Sequence, residues 1–303
     1  MRSRLPAWSP ACALAALAVT SGSACVISVD TERVSVREEK RWTVGGVPDV
    51  SLTTFDGSIE VRSWDKPEVL VVIEKQAADK ALAEAIQVKV EQSGDTIRVE
   101  AMKPTAVNAL FGLRVSPTAK FVVTLPRRSN LTAWSGDGSI EFARVDGRIE
   151  LHTGDGSVSV AEVSGSLRAH SGDGSLKLED IAGTVDADTG DGSARLSGRL
   201  TGVRLRTGDG SIGVRVEDGS AMAGDWEIRT GDGSITLETP EGFAASLDAS
   251  TGDGRVRAVG LETPGRADND REESRHDLKG PLAGGGRLLR LRTGSGSIVV
   301  RKL

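Results

Sequence analysis

One short motif, returning at a nearly constant interval, constrains this chain more than anything else in it. Thr-Gly-Asp-Gly-Ser-Ile begins at Thr207 and again at Thr230, and variants begin at Ser135, Thr153, Ser171, Thr189, Thr251 and Thr293. Its central aspartates are Asp137, Asp155, Asp173, Asp191, Asp209, Asp232 and Asp253, and the last copy carries Ser295 instead. The first four intervals are 18 residues each, followed by 23, 21 and 42. Self-similarity of this length marks a solenoid, in which no repeat can bury its apolar face alone.

Apolar residues keep step with the aspartates. Three and five positions after Asp come pairs such as Ile140 and Phe142, Val158 and Val160, Leu176 and Leu178, Ile212 and Val214. Six and four positions before Asp come Ile149 and Leu151, Leu167 and Ala169, Val203 and Leu205, Trp226 and Ile228. Polar residues such as Glu141, Lys177, Glu150 and Arg168 sit between the members of each pair. Alternation with period two predicts strands with one face inward and one in water. The fold class expected is all-β: a parallel β-helix of ~18-residue coils, two strands to a coil. The general handedness of parallel crossovers makes it right-handed. A left-handed hexapeptide helix would instead repeat an apolar residue every six positions. With no Tyr, five Phe and five Trp, the core is built of Val, Leu, Ile and Ala, which suits thin β layers.

The same phase surrounds Asp56, with Val50 and Leu52 before it and Ile59 and Val61 after it. Residues 66–130 interrupt the series with strand-like "EVLVVIE", "DTIRVEA" and "KFVVTLP" and one helical stretch, "ADKALAEAIQVKV" at 78–90. Residues 25–130 are therefore expected to hold a first coil and an α+β segment capping the open end of the helix. Residues 131–303 hold the repeats, with a charged loop, solvated or disordered, inserted at 262–286. Residues 1–24 read as an export signal: Arg2 and Arg4, an apolar run at 11–19, then small residues before Cys25. Cys12 leaves with that signal, so Cys25 is the one cysteine of the mature chain. "GSAC" is similar to the bacterial lipobox, and Cys25 is the expected lipidation site, although Gly22 stands where the box usually has Leu.

Glycines flanking an aspartate can supply a tight corner by positive φ, with the Asp bonding back to nearby amides. That structural role is the expectation for all seven aspartates. Calcium is the alternative ligand, because calcium-binding β-rolls also place Asp at fixed points of glycine-rich repeats. No copy has the lysine of a Walker loop or opens a helix, so phosphate binding finds no support. His152 and His170 each lie three residues before an Asp, in line with Asp188, where a shared metal competes with a plain exposed column. A net charge of −5 excludes a nucleic-acid footprint. Neither GxSxG nor HExxH occurs, and no catalytic residues or cofactor are expected.

Three stretches, "DVSLTTFDGSIEVRSWDKPEV", "VVTLPRRSNLTAWSGDGSIEF" and "WEIRTGDGSITLETPEG", resemble the bacterial "putative adhesin" family of unknown function. That family is toastrack-like and similar to the head domain of auto-transporter adhesins. The resemblance runs from about Val44 to Leu303. It implies an exported, envelope-associated β-repeat protein and transfers no catalytic or ligand residue. The expected function is a non-catalytic cell-envelope solenoid and lipoprotein, adhesin-like or scaffolding, on the periplasmic or surface side of a membrane. Its expected partner is an envelope or surface protein or polysaccharide. The alternative is a β-helical carbohydrate-active enzyme or carbohydrate-binding module.

Overall fold

A computed structural model describes residues 25–30, 33–104, 116–260 and 276–303, the first of these as backbone. The export signal read at 1–24 and most of the loop read at 262–286 lie outside the described residues. The N-terminal part contributes β1 (Cys25–Asp30), β2 (Arg33–Thr43), β3 (Asp49–Thr54), β4 (Ile59–Trp64) and β5 (Glu68–Ala77). Helix α1 (Lys80–Glu84), β6 (Gln87–Ser93), β7 (Thr96–Met102) and β8 (Thr118–Pro126) follow. The regular repeats form β9 (Asn130–Ser135), β10 (Ile140–Ala143), β11 (Asp146–Thr153), β12 (Val158–Ser171), β13 (Leu176–Thr189) and β14 (Ala194–Thr207). The rest form β15 (Ile212–Val216), β16 (Trp226–Thr230), β17 (Ile235–Thr239), β18 (Ala245–Thr251) and β19 (Val256–Val259). The chain ends in β20 (Asp277–Leu282), β21 (Leu288–Thr293) and β22 (Ile298–Lys302). All 22 belong to one hydrogen-bonded network, so the all-β expectation holds.

Pairing between repeats is parallel, and the phased apolar residues stack on one another. Ile140 pairs with Val158, Val158 with Leu176, Leu176 with Ala194, and Ala194 with Ile212. A second ladder runs from Leu131 through Ile149 and Leu167 to Val185 and Val203. Both ladders point into one contiguous buried cluster that reaches from Trp42 to Val300. A buried pair every second residue on each ladder is what the period-two alternation demands.

Chain order and stacking order part company at both ends. β3 and β4 do not terminate the stack, because β7 and β8 pair on their far side. Near the other end, β21 lies between β16 and β18, and β22 lies between β17 and β19. The last residues of the chain are thus inserted inside the stack. Antiparallel strands flank the ends: β5 on β8, β2 on β5, β1 on β2, β6 on β7, and β20 on β18.

Two readings are corrected. The helix expected over 78–90 is only Lys80–Glu84, capped by Asp79 accepting from the Leu82 amide at 2.8 Å. The remainder, Gln87–Ser93, alternates with period two and pairs as a strand with β7. Within the stretch read as a loop, Asp277–Leu282 is a strand that gives β18 its outer partner. Pro281 fits there because β20 pairs with β18 alone among the described strands, and an edge strand has a side with no ladder to serve.

Candidate functional site

The Gly-Asp-Gly corners lie between the two ladders, and a buried hydroxyl organises each. Ser171, fully buried, donates to the Gly156 carbonyl of the previous repeat at 2.8 Å and accepts from the Gly174 amide of its own at 2.9 Å. Thr189 donates to Gly174 O at 2.6 Å, Thr207 to Gly192 O at 2.8 Å and Thr230 to Gly210 O at 2.8 Å. Each hydroxyl therefore ties one repeat to the next, and those of Ser171, Thr207 and Thr230 also accept from the second glycine amide of their own turn, which satisfies groups that burial would otherwise leave unpaired.

From Gly156 to Gly210 the second glycines of the corners are needed for closeness, and positive φ, which the sequence suggested for all, occurs at Gly57 and Gly296 in the corners of Asp56 and Ser295, at 145° and 130°. A Cβ on Gly156, Gly174, Gly192 or Gly210 would lie well under 3.0 Å from the carbonyl of the glycine stacked against it. None of these four has a left-handed backbone. Three successive repeats place a left-handed non-glycine residue at their other bend: Arg144, Glu162 and Asp180, at φ of 61°, 55° and 54°.

The seven aspartates point into solvent. None of their carboxylates makes a hydrogen bond or ion pair among the described residues, so the expected bonds from Asp to backbone amides are replaced by those of the Ser and Thr hydroxyls. Glycine contacts give the column order: Asp56, Asp137, Asp155, Asp173, Asp191, Asp209, Asp232, then Ser295, then Asp253. Neighbours repel by about 1 kcal/mol where water separates them. Calcium wants six to eight oxygens, and each corner offers one carboxylate. Among the described residues no group of three or more His, Cys, Asp or Glu is placed to hold a metal. Asp173→Asn is accordingly expected to leave thermal stability within about 0.5 kcal/mol of wild type. Calcium and magnesium should stabilise both proteins equally, by screening. A melting temperature that falls on chelation and recovers only with calcium would overturn this.

The outer face of the second ladder carries the densest polar array. One column runs Glu150, Arg168, Asp186, Arg204, Glu227, Arg290, Asp248. Arg206 reaches Glu227 at 2.6 Å and Arg292 reaches Asp248 at 2.6 Å. These guanidinium hydrogen bonds hold both carboxyls below their ordinary pKa. The adjacent column runs Trp134, His152, His170, Asp188, Arg206, Arg229, Arg292. His152 and His170 are brought into register, with ring centroids 6.0 Å apart. Each takes its own carboxylate: His152 Nε2 lies 3.0 Å from Glu150, and His170 Nδ1 lies 2.5 Å from Asp188.

Trp134 was not singled out by the sequence reading. It is 51% exposed and stacks on His152 at 4.4 Å and 16°. The available signal was positional, since Trp134 stands three residues before Asp137, where later repeats carry His, His, Asp and Arg. At Cys25 the backbone begins β1 and pairs with Glu38.

The solved structure of a putative cell adhesion protein from Clostridium sporogenes is 12% identical, with 88% of this chain and 100% of that one covered and a TM-score of 0.32. A putative adhesin from Bacteroides fragilis is 10% identical over 88% and 97%, with a TM-score of 0.35. A putative lipid binding protein from Parabacteroides distasonis is 11% identical over 88% and 96%, with a TM-score of 0.29. No curated protein matches. The profile of the family described as Toastrack DUF4097 matches residues 48–301, which takes in the stack from β3 to β22. The chain belongs to the Toastrack DUF4097 family.

Proposed function

We propose that this chain is a non-catalytic, exported β-solenoid of the cell envelope, right-handed, that displays a long polar surface to an envelope partner and is held to a membrane by lipid on Cys25. The observation that carries the reading is the continuous outer column from Glu150 to Asp248, charged at every register position and alternating in sign at every step. Such a face is rigid because each strand is hydrogen-bonded on both sides. It is repetitive, as extended binding surfaces of solenoids are. A shallow groove lined by Ser220, Met222, Phe243 and Arg287, among others, contains no carboxylate, histidine or cysteine to do chemistry.

The position of Cys25 supports anchoring at one end. Pairings lead from β1 through β2, β5, β8, β4, β10, β12, β13, β14, β15, β17 and β22 to β19. Twelve steps of about 4.8 Å put roughly 58 Å of sheet, measured along the stack, between the first strand and the last. A lipid at Cys25 would leave the far repeats standing away from the bilayer. Cys25→Ser is expected to move the protein from the membrane fraction to the soluble exported fraction and to abolish incorporation of labelled lipid. A wild type that is already soluble and unlabelled would overturn the anchor. Immobilised protein should also retain material saturably from purified envelope fractions, less so at high salt. No saturable retention would overturn the binding role.

A further inference from the structure

The geometry points to a glycan-binding subsite built on Trp134, in which a hexopyranose ring stacks on the indole face turned away from His152. This rests on the surface-binding role proposed above and gives it a ligand class and an address.

Keeping Trp134 in water carries a cost. Trp134 is the one aromatic among the exposed large hydrophobic residues of the described chain. On a face otherwise filled with ion pairs and hydroxyls, a half-exposed indole leaves apolar surface in water. Its orientation is fixed, because one face lies against the His152 imidazole at 4.4 Å and 16°. His152 is itself tethered by Glu150 at 3.0 Å. The rings therefore stand on edge, with their flat faces looking along the ladder.

Along the ladder on the other side come Thr53 and then Glu100. Thr53 is short, so two strand steps, roughly 10 Å, separate the indole from the next long side chain in the column. That interval takes one flat ring about 4 Å from the indole, above the Thr53 methyl and hydroxyl. The groups around it are those a sugar needs. Thr132 and Ser51 stand beside Trp134 and Thr53 in the neighbouring column, with Arg98 beside Glu100. Hydroxyls, a carboxylate and a guanidinium can donate to or accept from ring hydroxyls, while the indole covers the apolar C–H face. A phosphate or an acidic peptide fits less well, because Glu100 would face it and the indole would be wasted.

Chitotetraose, cellotetraose and maltotetraose serve as probes, titrated by calorimetry and by tryptophan fluorescence into the folded mature chain. At least one should bind saturably. Trp134→Ala should weaken it by about tenfold or more, as loss of a central aromatic anchor does. Trp134→Phe, which keeps a stacking face, should retain most of the affinity. Thr53→Trp, which fills the interval from the other side, should abolish binding with the β circular dichroism unchanged. If no probe binds, or if a probe binds Trp134→Ala as well as wild type, the subsite is wrong. Envelope retention that persists in Trp134→Ala while no sugar binds would remove the subsite and leave the surface-binding role standing.

Discussion

Leu176→Asp is expected to destabilise the protein by about 4 kcal/mol or more, with cleavage opening near residues 158–196 in limited proteolysis. Leu176 is 1% exposed and lies between Val158 and Ala194 on the inner face of its ladder. A carboxylate there finds no donor, since the Leu176 amide already serves Ser193 O at 3.0 Å and the Val158 amide serves Ser175 O at 3.0 Å. The group must either stay ionised in a dry interior or take up a proton, and both cost stability. The site lies mid-stack, where each repeat is held only by its neighbours, so the damage should uncouple the two sides. Glu141→Gln, on the exposed outer face of β10, two strands away, should change stability by no more than about 0.5 kcal/mol. A thermal melt of Leu176→Asp matching wild type would mean that the ladder does not line a packed core.

The inward ladders were legible because burial leaves a period in the sequence, and every pair from Ile140 to Val214 falls on the core. The order of the last repeats was not legible from spacing, since 42 residues between Asp253 and Ser295 say nothing about which strand lies beside which. Charge could have settled it. In chain order Glu227 and Asp248 would stand side by side about 4.8 Å apart, two like charges in register. With β21 inserted, Arg290 separates them. Arg292 then pairs with Asp248, and Arg301 with Glu238. Similarly, a five-residue helix preceding an alternating strand was absorbed into one helical stretch because Ala, Leu, Glu and Lys favour helix whatever follows.

The candidate site was legible in part. The register of His152 and His170 followed from the 18-residue interval alone. What they do did not, because the carboxylates that hold them, Glu150 and Asp188, come one from the same strand and one from the next. The aspartates are the conspicuous feature of seven repeats, yet the buried hydroxyl two residues earlier does the joining. Both Ser and Thr occur at that position, so the motif looks less strict there, although both supply the same Oγ. Trp134 stands at a repeated position, but that position carries His, Asp or Arg in the next repeats, so its spacing alone does not mark an exposed aromatic. It became visible only when the ladder showed one face against His152 and the other towards Thr53.

Gly174→Ala is expected to cost about 3 kcal/mol, near the top of what overpacking does, although one methyl group is all it adds. The added Cβ would meet Gly156 O, Gly156 C and the Ser157 amide nitrogen, all backbone and all well under 3.0 Å away. No rotamer change can relieve that, so the repeats must move apart locally. Two hydroxyl bonds run through the same point, from the Gly174 amide to Ser171 at 2.9 Å and from Thr189 to the Gly174 carbonyl at 2.6 Å. Separation stretches both and strands buried polar groups. Gly213→Ala gives the opposite sign. Gly213 lies in β15 outside the left-handed region, with nothing within 4 Å of its would-be Cβ. There alanine removes chain entropy from the unfolded state and should stabilise by roughly 0.5 kcal/mol. Paired melts of the two variants test whether the corner glycines serve close approach. If Gly174→Ala is as mild as Gly213→Ala, the repeats are not packed at the corners as tightly as the carbonyl contacts require.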